Sequence, residues 1–142
     1  MKLDWMMLAN HAEVAPNNLL YISGGGWDTI QVTARAEGLP DEVFAVMAGH
    51  LVARLLFHVT ETDREHEMML NIMDEDGQEI ASSTASLGVP RNRDLPANWL
   101  QNVDMVLPVS GIALPHEGHY VINLTVNGQW LGDRQFRAFK NY

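Results

Sequence analysis

Hydrophobic and polar residues alternate along several short stretches of the chain, most clearly near its C-terminus. In HYVINLTV, residues 119–126, one face of an extended chain carries only apolar side chains, those of Tyr120, Ile122, Leu124 and Val126. This period of two is typical of a half-buried β-strand. The dipeptide Asn127-Gly128 follows at once and predicts a two-residue hairpin turn. Residues 129–140 are then expected to return as the partner strand, bent or bulged near Gly132.

Similar patterns recur through the rest of the chain. Residues 67–73 alternate, Asp76-Gly77 predicts a turn, and residues 79–87 return as a strand rich in Ser, Thr and Ala. Further strands are predicted within residues 1–9, 19–35 and 103–109. Strands at such close spacing predict one all-β domain over residues 1–142. We expect a two-sheet sandwich of about eight mostly antiparallel strands, immunoglobulin-like or jelly-roll in its connections.

Residues 41–60 fit two different structures. The apolar residues between 43 and 56 match the stripe of an amphipathic helix, and Asp41 and Glu42 would suit its first turn. Residues 51–59 also alternate as in a strand, and Gly49 would interrupt a helix in its middle. We predict a short irregular segment at 41–47 followed by a strand over about 49–60. The alternative is an α+β fold with a helix at 41–56.

The stretch ISGGGWDTI, residues 22–30, invites comparison with phosphate-binding loops. It matches neither the dinucleotide fingerprint nor the Walker loop. Thr29, Ile30 and Val32, which follow the glycines, favour a strand over the helix whose N-terminus would hold a phosphate. We therefore predict a bulge or kink in a strand. The direction of Trp27 is left open: an outward ring would mark a partner site, whereas an inward ring would be a feature of the fold.

Composition narrows the range of functions. The chain has 142 residues, 46% of them hydrophobic, which is enough for a core, and it has no cysteine. Its net charge is −9, and its few basic residues form no large patch, which argues against binding to nucleic acid or to anionic membranes. The N-terminal segment lacks an apolar run of the secretory kind, and no stretch is long enough for a membrane helix. We expect a cytoplasmic location.

No pattern in the sequence predicts a catalytic site or a cofactor. The segment DEDGQE at 74–79 lacks the later ligands of a calcium loop, and no serine lies in a nucleophile elbow. His116, Glu117 and His119 are the best candidates for metal ligands, but a metal needs three or four ligands held together. We predict no catalytic residue, no metal and no cofactor.

Tryptophans and methionines are the residues from which we predict an interaction surface. Pairs such as Met6-Met7 and Met68-Met69 place one methionine on each face of a strand, so that a second subunit could cover one sheet. Trp99 is expected to pack on the flank of the sandwich, with a position facing a partner as the alternative. The candidate interaction surface comprises Trp27, Met6, Met69, Trp99 and Trp130.

Four segments of the chain together resemble a known family. They are LDWMMLANHAEV, LLYISGGGWDTI, HLVARLLFHVTETDREHEMMLNIMDEDGQEI and LPHEGHYVINLTVNGQWLGDRQFRAF. They are similar to a family of small bacterial proteins catalogued only as a domain of unknown function, whose members share an L-x-x-x-GGG strand and a REHE-x-x-L-x-x-x-D-x-DG hairpin. The resemblance covers nearly the whole chain. It implies a β-sandwich in a bacterial, cytoplasmic setting, and no activity.

Three functional hypotheses follow. The first is a non-enzymatic interaction or structural protein that binds a protein partner, or a second copy in a homodimer, through a sheet edge or a methionine-rich face. The second is a small-ligand or carbohydrate-binding module that uses Trp27, Trp99 or Trp130 as a stacking platform. The third is a metal-assisted hydrolase that uses His116 and its neighbours.

Overall fold

The computed structural model describes all residues 1–142 and contains strands, one short 3-10 helix and no α-helix. The 3-10 helix spans Val59–Glu61. The strands are β1 (Lys2–Val14), β2 (Leu20–Trp27), β3 (Thr29–Val32), β4 (Ala45–Val46), β5 (His50–Phe57), β6 (Glu65–Asp74), β7 (Glu79–Gly88), β8 (Gln101–Pro108), β9 (Ala113–Leu114), β10 (Gly118–Val126) and β11 (Gln129–Lys140). No helix in this structure is long and apolar enough to cross a membrane.

The strands form two main sheets packed as a β-sandwich, which confirms the predicted fold class. A four-stranded sheet has the order β2-β1-β5-β8, and a five-stranded sheet has the order β3-β11-β10-β6-β7. All pairings within them are antiparallel except that of β3 with β11. Strands β4 and β9 pair with each other at one end.

The main core lies between the two sheets and follows from the alternation in the sequence. In β10 the four apolar positions singled out above are all buried, and in β5 Leu51, Leu55 and Phe57 are fully buried. Burial of side chains of this size from both sheets is the main force that holds the sandwich together. A second, smaller cluster on the outer face of the four-stranded sheet contains Ala9, Ala12 and Val52.

The glycine-rich stretch is a bulged strand that carries the chain between the sheets. The pairing of β2 with β1 shifts by one residue at Gly26, which has φ +87°, so the predicted bulge is confirmed. Asp28 alone separates β2, in the four-stranded sheet, from β3, in the five-stranded sheet. The bend is thus the point where the chain changes sheets.

The helix alternative for residues 41–56 is wrong. Residues 50–57 form β5 at the centre of the four-stranded sheet, and residues 45–46 form β4. Gly49 has φ +110°, which a helix does not accept, and a Cβ placed there would lie 2.4 Å from the carbonyl oxygen of Ala9. The apolar residues of this segment therefore alternate across a sheet instead of lining one helix face.

Candidate functional site

The β7 strand is a long, free edge of the five-stranded sheet. It has ten residues and pairs only with β6. Residues 80–88 of β7, which we call the β7 edge, contain no charged residue and no proline. Residues 82–86 are all exposed. A free edge of this kind offers unpaired backbone N–H and C=O groups to another strand.

The other three sheet edges carry features that discourage strand addition. The β2 edge is interrupted by the bulge at Gly26, and β3 is only four residues long. The β8 edge contains Asp104 and ends at Pro108. Bulges, shortness, charge and proline are the usual protections of edge strands. The β7 edge has only an irregularity in its pairing at the Glu79 end.

The two faces of the β7 edge differ in chemistry. Ser83 pairs with Leu70 and Ala81 with Ile72, both of which contact the core, so these residues lie on the inner face. Residues 82, 84 and 86 lie on the opposite face because side chains alternate along a strand. That outer face carries only hydroxyl groups, those of Ser82, Thr84 and Ser86.

An apolar opening lies beside the β7 edge, between the two sheets. It has a volume of about 270 Å³ and is enclosed by β7 on one side and by the end of β8 on the other. We call it the β7–β8 cleft. Its apolar lining includes Leu70, Ile72, Ala81, Leu107, Val109 and Ile112. A side chain that entered it would contact Leu51 and Ile122 of the buried core.

Acidic side chains flank both ends of the β7 edge. Glu79 begins the strand, and Glu65 of β6 lies opposite Gly88 at its other end. Glu67 lies opposite Ser86 and, with Glu65, lines an open depression of about 510 Å³. The Glu65 carboxylate accepts a hydrogen bond from the Ser86 hydroxyl. None of these three carboxylates forms a salt bridge, since the four ion pairs of the structure use other residues.

The five residues of the predicted interaction surface do not form one surface. Met6 is buried in the main core with 6% of its area exposed, and its neighbour Met7 takes the outer face. Met69 and Trp130 both lie on the outer face of the five-stranded sheet, where each pairs with Thr125. These two residues are therefore near each other.

The ring of Trp27 packs against the main core, so the direction left open above is inward. It is half-buried, its Nε1 is buried without a hydrogen-bond partner, and it lies beside Gly49. An open groove of about 650 Å³ runs past it, lined partly by Gly24, Gly25 and Gly26. The tryptophan contributes mainly to the fold.

Trp99 and Trp130 are exposed in different surroundings. Trp99 lies in the loop of residues 89–100 with 60% of its area exposed, so the predicted packing on the flank is at most partial. Trp130 is 58% exposed on a sheet. Its Nε1 donates a hydrogen bond to Oδ1 of Asn123 at 3.1 Å, which fixes the orientation of the ring.

The residues of the metal hypothesis make separate structural contacts. His116 Nδ1 lies 2.8 Å from the carbonyl oxygen of Glu117, and its Nε2 lies 3.2 Å from Oδ2 of Asp74. The Glu117 carboxylate accepts the backbone N–H of Lys140, and His119 lies in another depression, beside Arg137. No group of three His, Asp or Glu side chains in the structure could hold a metal ion.

The β7 edge was missed by sequence reasoning, although one signal was present. The run from Ile80 to Pro90 has no charge, unlike the strands around it. Which strand becomes an edge depends on pairing between distant segments, and a single sequence does not show that pairing.

Comparison with models of protein families gives a match. The model of a family described as a family of unknown function, DUF6941, matches residues 4–139. No curated protein matches the chain.

Proposed function

The chain belongs to the DUF6941 family, and we propose that it is a non-enzymatic binding protein that receives an extended segment of a partner protein along the β7 edge. In this mode the segment adds a strand to the five-stranded sheet. Main-chain hydrogen bonds supply affinity, and pockets for alternate side chains supply specificity.

The observation that carries the proposal is the combination of a free, uncharged edge with the apolar cleft beside it. A strand added next to β7 would place one or two of its side chains, those beside Ala81 and Ser83, over the β7–β8 cleft, close to Leu107 and Ile112. The side chains on its other face would continue the hydroxyl-bearing face of Ser82 and Thr84. A free edge alone would pair with any exposed strand, in any register. The cleft favours one register of the added strand, because only certain side chains of that strand can enter it.

Amide hydrogen exchange in the presence of a strand-forming peptide tests this proposal. The probe is a capped ten-residue peptide of alternating threonine and valine. We expect new protection in β7, at outward-facing amides between Ala81 and Leu87, and no new protection in β2. Protection confined to another edge, or none at about 1 mM peptide, would contradict the proposal.

Two proline variants give a matched pair for the same test. Along a strand, successive N–H groups point to opposite edges, so one of Ser83→Pro and Thr84→Pro removes a hydrogen bond to β6 and the other removes an outward donor. The variant that keeps the wild-type unfolding midpoint should lose peptide binding. Full binding by that variant would mean that the peptide binds elsewhere.

The outer face of the five-stranded sheet favours carbohydrate binding as a second candidate function. Trp130 is exposed, its ring is fixed by Asn123, and Asn71 and Asp133 pair with Asn123 from the strands on either side. An aromatic face bordered by amide and carboxylate groups suits the stacking of a sugar ring. Tryptophan fluorescence should then change on addition of a soluble oligosaccharide in the wild type and in Trp99→Phe, but not in Trp130→Phe. An unchanged spectrum across hexose- and hexosamine-based oligosaccharides would exclude this candidate.

A further inference from the structure

We infer that the segment bound at the β7 edge carries Lys or Arg at both ends, with uncharged residues between them, and that it comes from a different protein and not from a second copy of this chain. The inference rests on the proposed function. It adds the chemistry of the partner, which the edge and the cleft alone do not define.

The ends of the β7 edge supply the electrostatic argument. Glu79 lies at one end, and Glu65 and Glu67 lie at the other. The nine-residue step from Glu79 to Gly88 spans about 30 Å in a strand. An extended segment of about ten residues would have one end beside Glu79 and its middle next to an uncharged strand. Its other end would lie about 10 Å, or two strand spacings, from Glu65 and Glu67 of β6, a distance that a long Lys or Arg side chain can bridge. Charges placed in this way set the register and speed association more than they add affinity.

The middle of the segment is defined by the two faces of β7. On one face, the side chains that lie beside Ala81 and Ser83 point toward the β7–β8 cleft, whose lining is mostly aliphatic, and must be apolar. Side chains on the other face extend the row of Ser82, Thr84 and Ser86 into solvent and can be small and polar. The expected partner sequence thus alternates apolar and polar residues between two basic residues.

A second copy of the chain fits this edge poorly. Two copies related by a two-fold axis would pair their β7 strands antiparallel. Antiparallel pairing brings Glu79 of one copy to the end of the other copy's β7 where Glu65 and Glu67 lie on the adjoining β6. Each copy also has a net charge of −9. Like charges across an interface disfavour that pairing.

Two peptides that differ only at their ends test the inference. Both contain the same alternating threonine and valine core, and one has lysine at each end where the other has glutamate. We expect the lysine-ended peptide to bind about tenfold more tightly in fluorescence anisotropy at low salt. The difference should shrink in about 1 M NaCl, where the Debye length is about 3 Å.

Single variants connect the effect to the named carboxylates. Glu79→Gln and Glu65→Gln should each weaken binding of the lysine-ended peptide by about two- to fivefold. Binding of the capped, uncharged threonine-valine peptide should stay unchanged. Glu13→Gln is the matched control, because Glu13 is an exposed glutamate on β1 of the other sheet. It should bind both peptides as the wild type does.

The set of outcomes distinguishes failure of the inference from failure of the proposed function. Equal binding of the two charged peptides, with protection still in β7, would overturn the inference and leave the proposed function intact. No binding of any of the peptides would overturn both. Dimerisation of the protein alone in sedimentation equilibrium, lost in the folded proline variant at Ser83 or Thr84, would overturn the inference in favour of a second copy.

Discussion

Arg54 and Asp104 form a two-bonded ion pair between neighbouring strands of the four-stranded sheet. The Nε of Arg54 donates to Oδ1 of Asp104 at 2.8 Å, and a terminal guanidinium nitrogen donates to Oδ2 at 3.3 Å. The guanidinium also lies 5.6 Å from the centre of the Trp5 ring. The hydrogen bond and charge of Asp104 keep the pKa of Arg54 raised despite desolvation. This row of three side chains fixes the alignment of β1, β5 and β8 on their outer face.

The ion pair predicts unequal effects of two substitutions. Asp104→Ala should lower the free energy of unfolding by about 1–2 kcal/mol, because it leaves a partly buried guanidinium without its partner. Arg54→Lys should cost about half as much, since the charge stays but the fork geometry is lost. Urea unfolding measures both effects. Equal losses would mean that the charge retained by lysine contributes nothing and that the fork geometry alone accounts for the pair.

Gly49 should be intolerant of any side chain. Gly49→Ala would combine a φ of +110° with a Cβ only 2.4 Å from the carbonyl oxygen of Ala9, so the strand next to β1 must move. We expect a loss of about 2–4 kcal/mol in the free energy of unfolding. The matched control is Gly77→Ala, with φ +80° and open space around it, where about 1 kcal/mol is expected. A loss no greater than that of the control would show that the backbone adjusts freely.

The contact between His116 and Asp74 predicts a pH dependence of stability. The pKa of His116 is raised by its hydrogen bond to the Glu117 carbonyl and then by Asp74, so its contribution is complete below about pH 6.5 and is lost as pH rises through the raised value. The pKa of Asp74 is lowered, first by the backbone N–H of Gln78. Its contribution is complete above about pH 3.8 and is lost as pH falls through the lowered value.

Both contributions are therefore present between about pH 4 and pH 6.5, where the urea midpoint should be highest. His116→Gln should flatten the decline on the alkaline side and leave the acid side nearly as steep. His119→Gln is the control, because no hydrogen bond to its ring exists in the structure. If the urea midpoint of His116→Gln falls as steeply on the alkaline side as that of the wild type, groups other than His116 cause the decline.

Amide hydrogen exchange of the free protein should be much faster at the β7 edge than at the centre of the five-stranded sheet. β10 lies between β11 and β6, whereas β7 has one neighbour. Amides in the middle of β10, such as that of Ile122, should exchange only through global unfolding. Outward amides of β7 should exchange orders of magnitude faster, as exposed groups do. Slow exchange along all of β7 would mean that something already covers the edge, most simply a second copy.

Sequence reasoning predicted the strands well where the physics is local. The alternation in β10 and the Asn127-Gly128 turn depend on neighbouring residues, and both are in the structure as predicted. The bulge near Gly132 is also confirmed, because Leu131 has no partner on β10. The glycines of β2 were correctly separated from phosphate loops by the strand-forming residues after them.

The candidate site was much harder to predict because it depends on distant pairing. Met6 and Met7 have the same character in the sequence, and only the register of β1 against β5 decides which one is buried. The β7 edge exists because no other segment pairs beyond residues 80–88. That absence is a property of the whole fold.

The crossing at Asp28 gives the sandwich a closed side and an open side. On one side, this single residue joins β2 to β3, and its carbonyl accepts the backbone N–H of Arg137 at 2.9 Å. On the other side, β7 and β8 are connected only through the loop of residues 89–100. The two sheets are thus joined directly at the glycine-rich bend and only by a long loop on the opposite side, where the cleft lies. Their thermal motion relative to each other should therefore be largest on that opposite side.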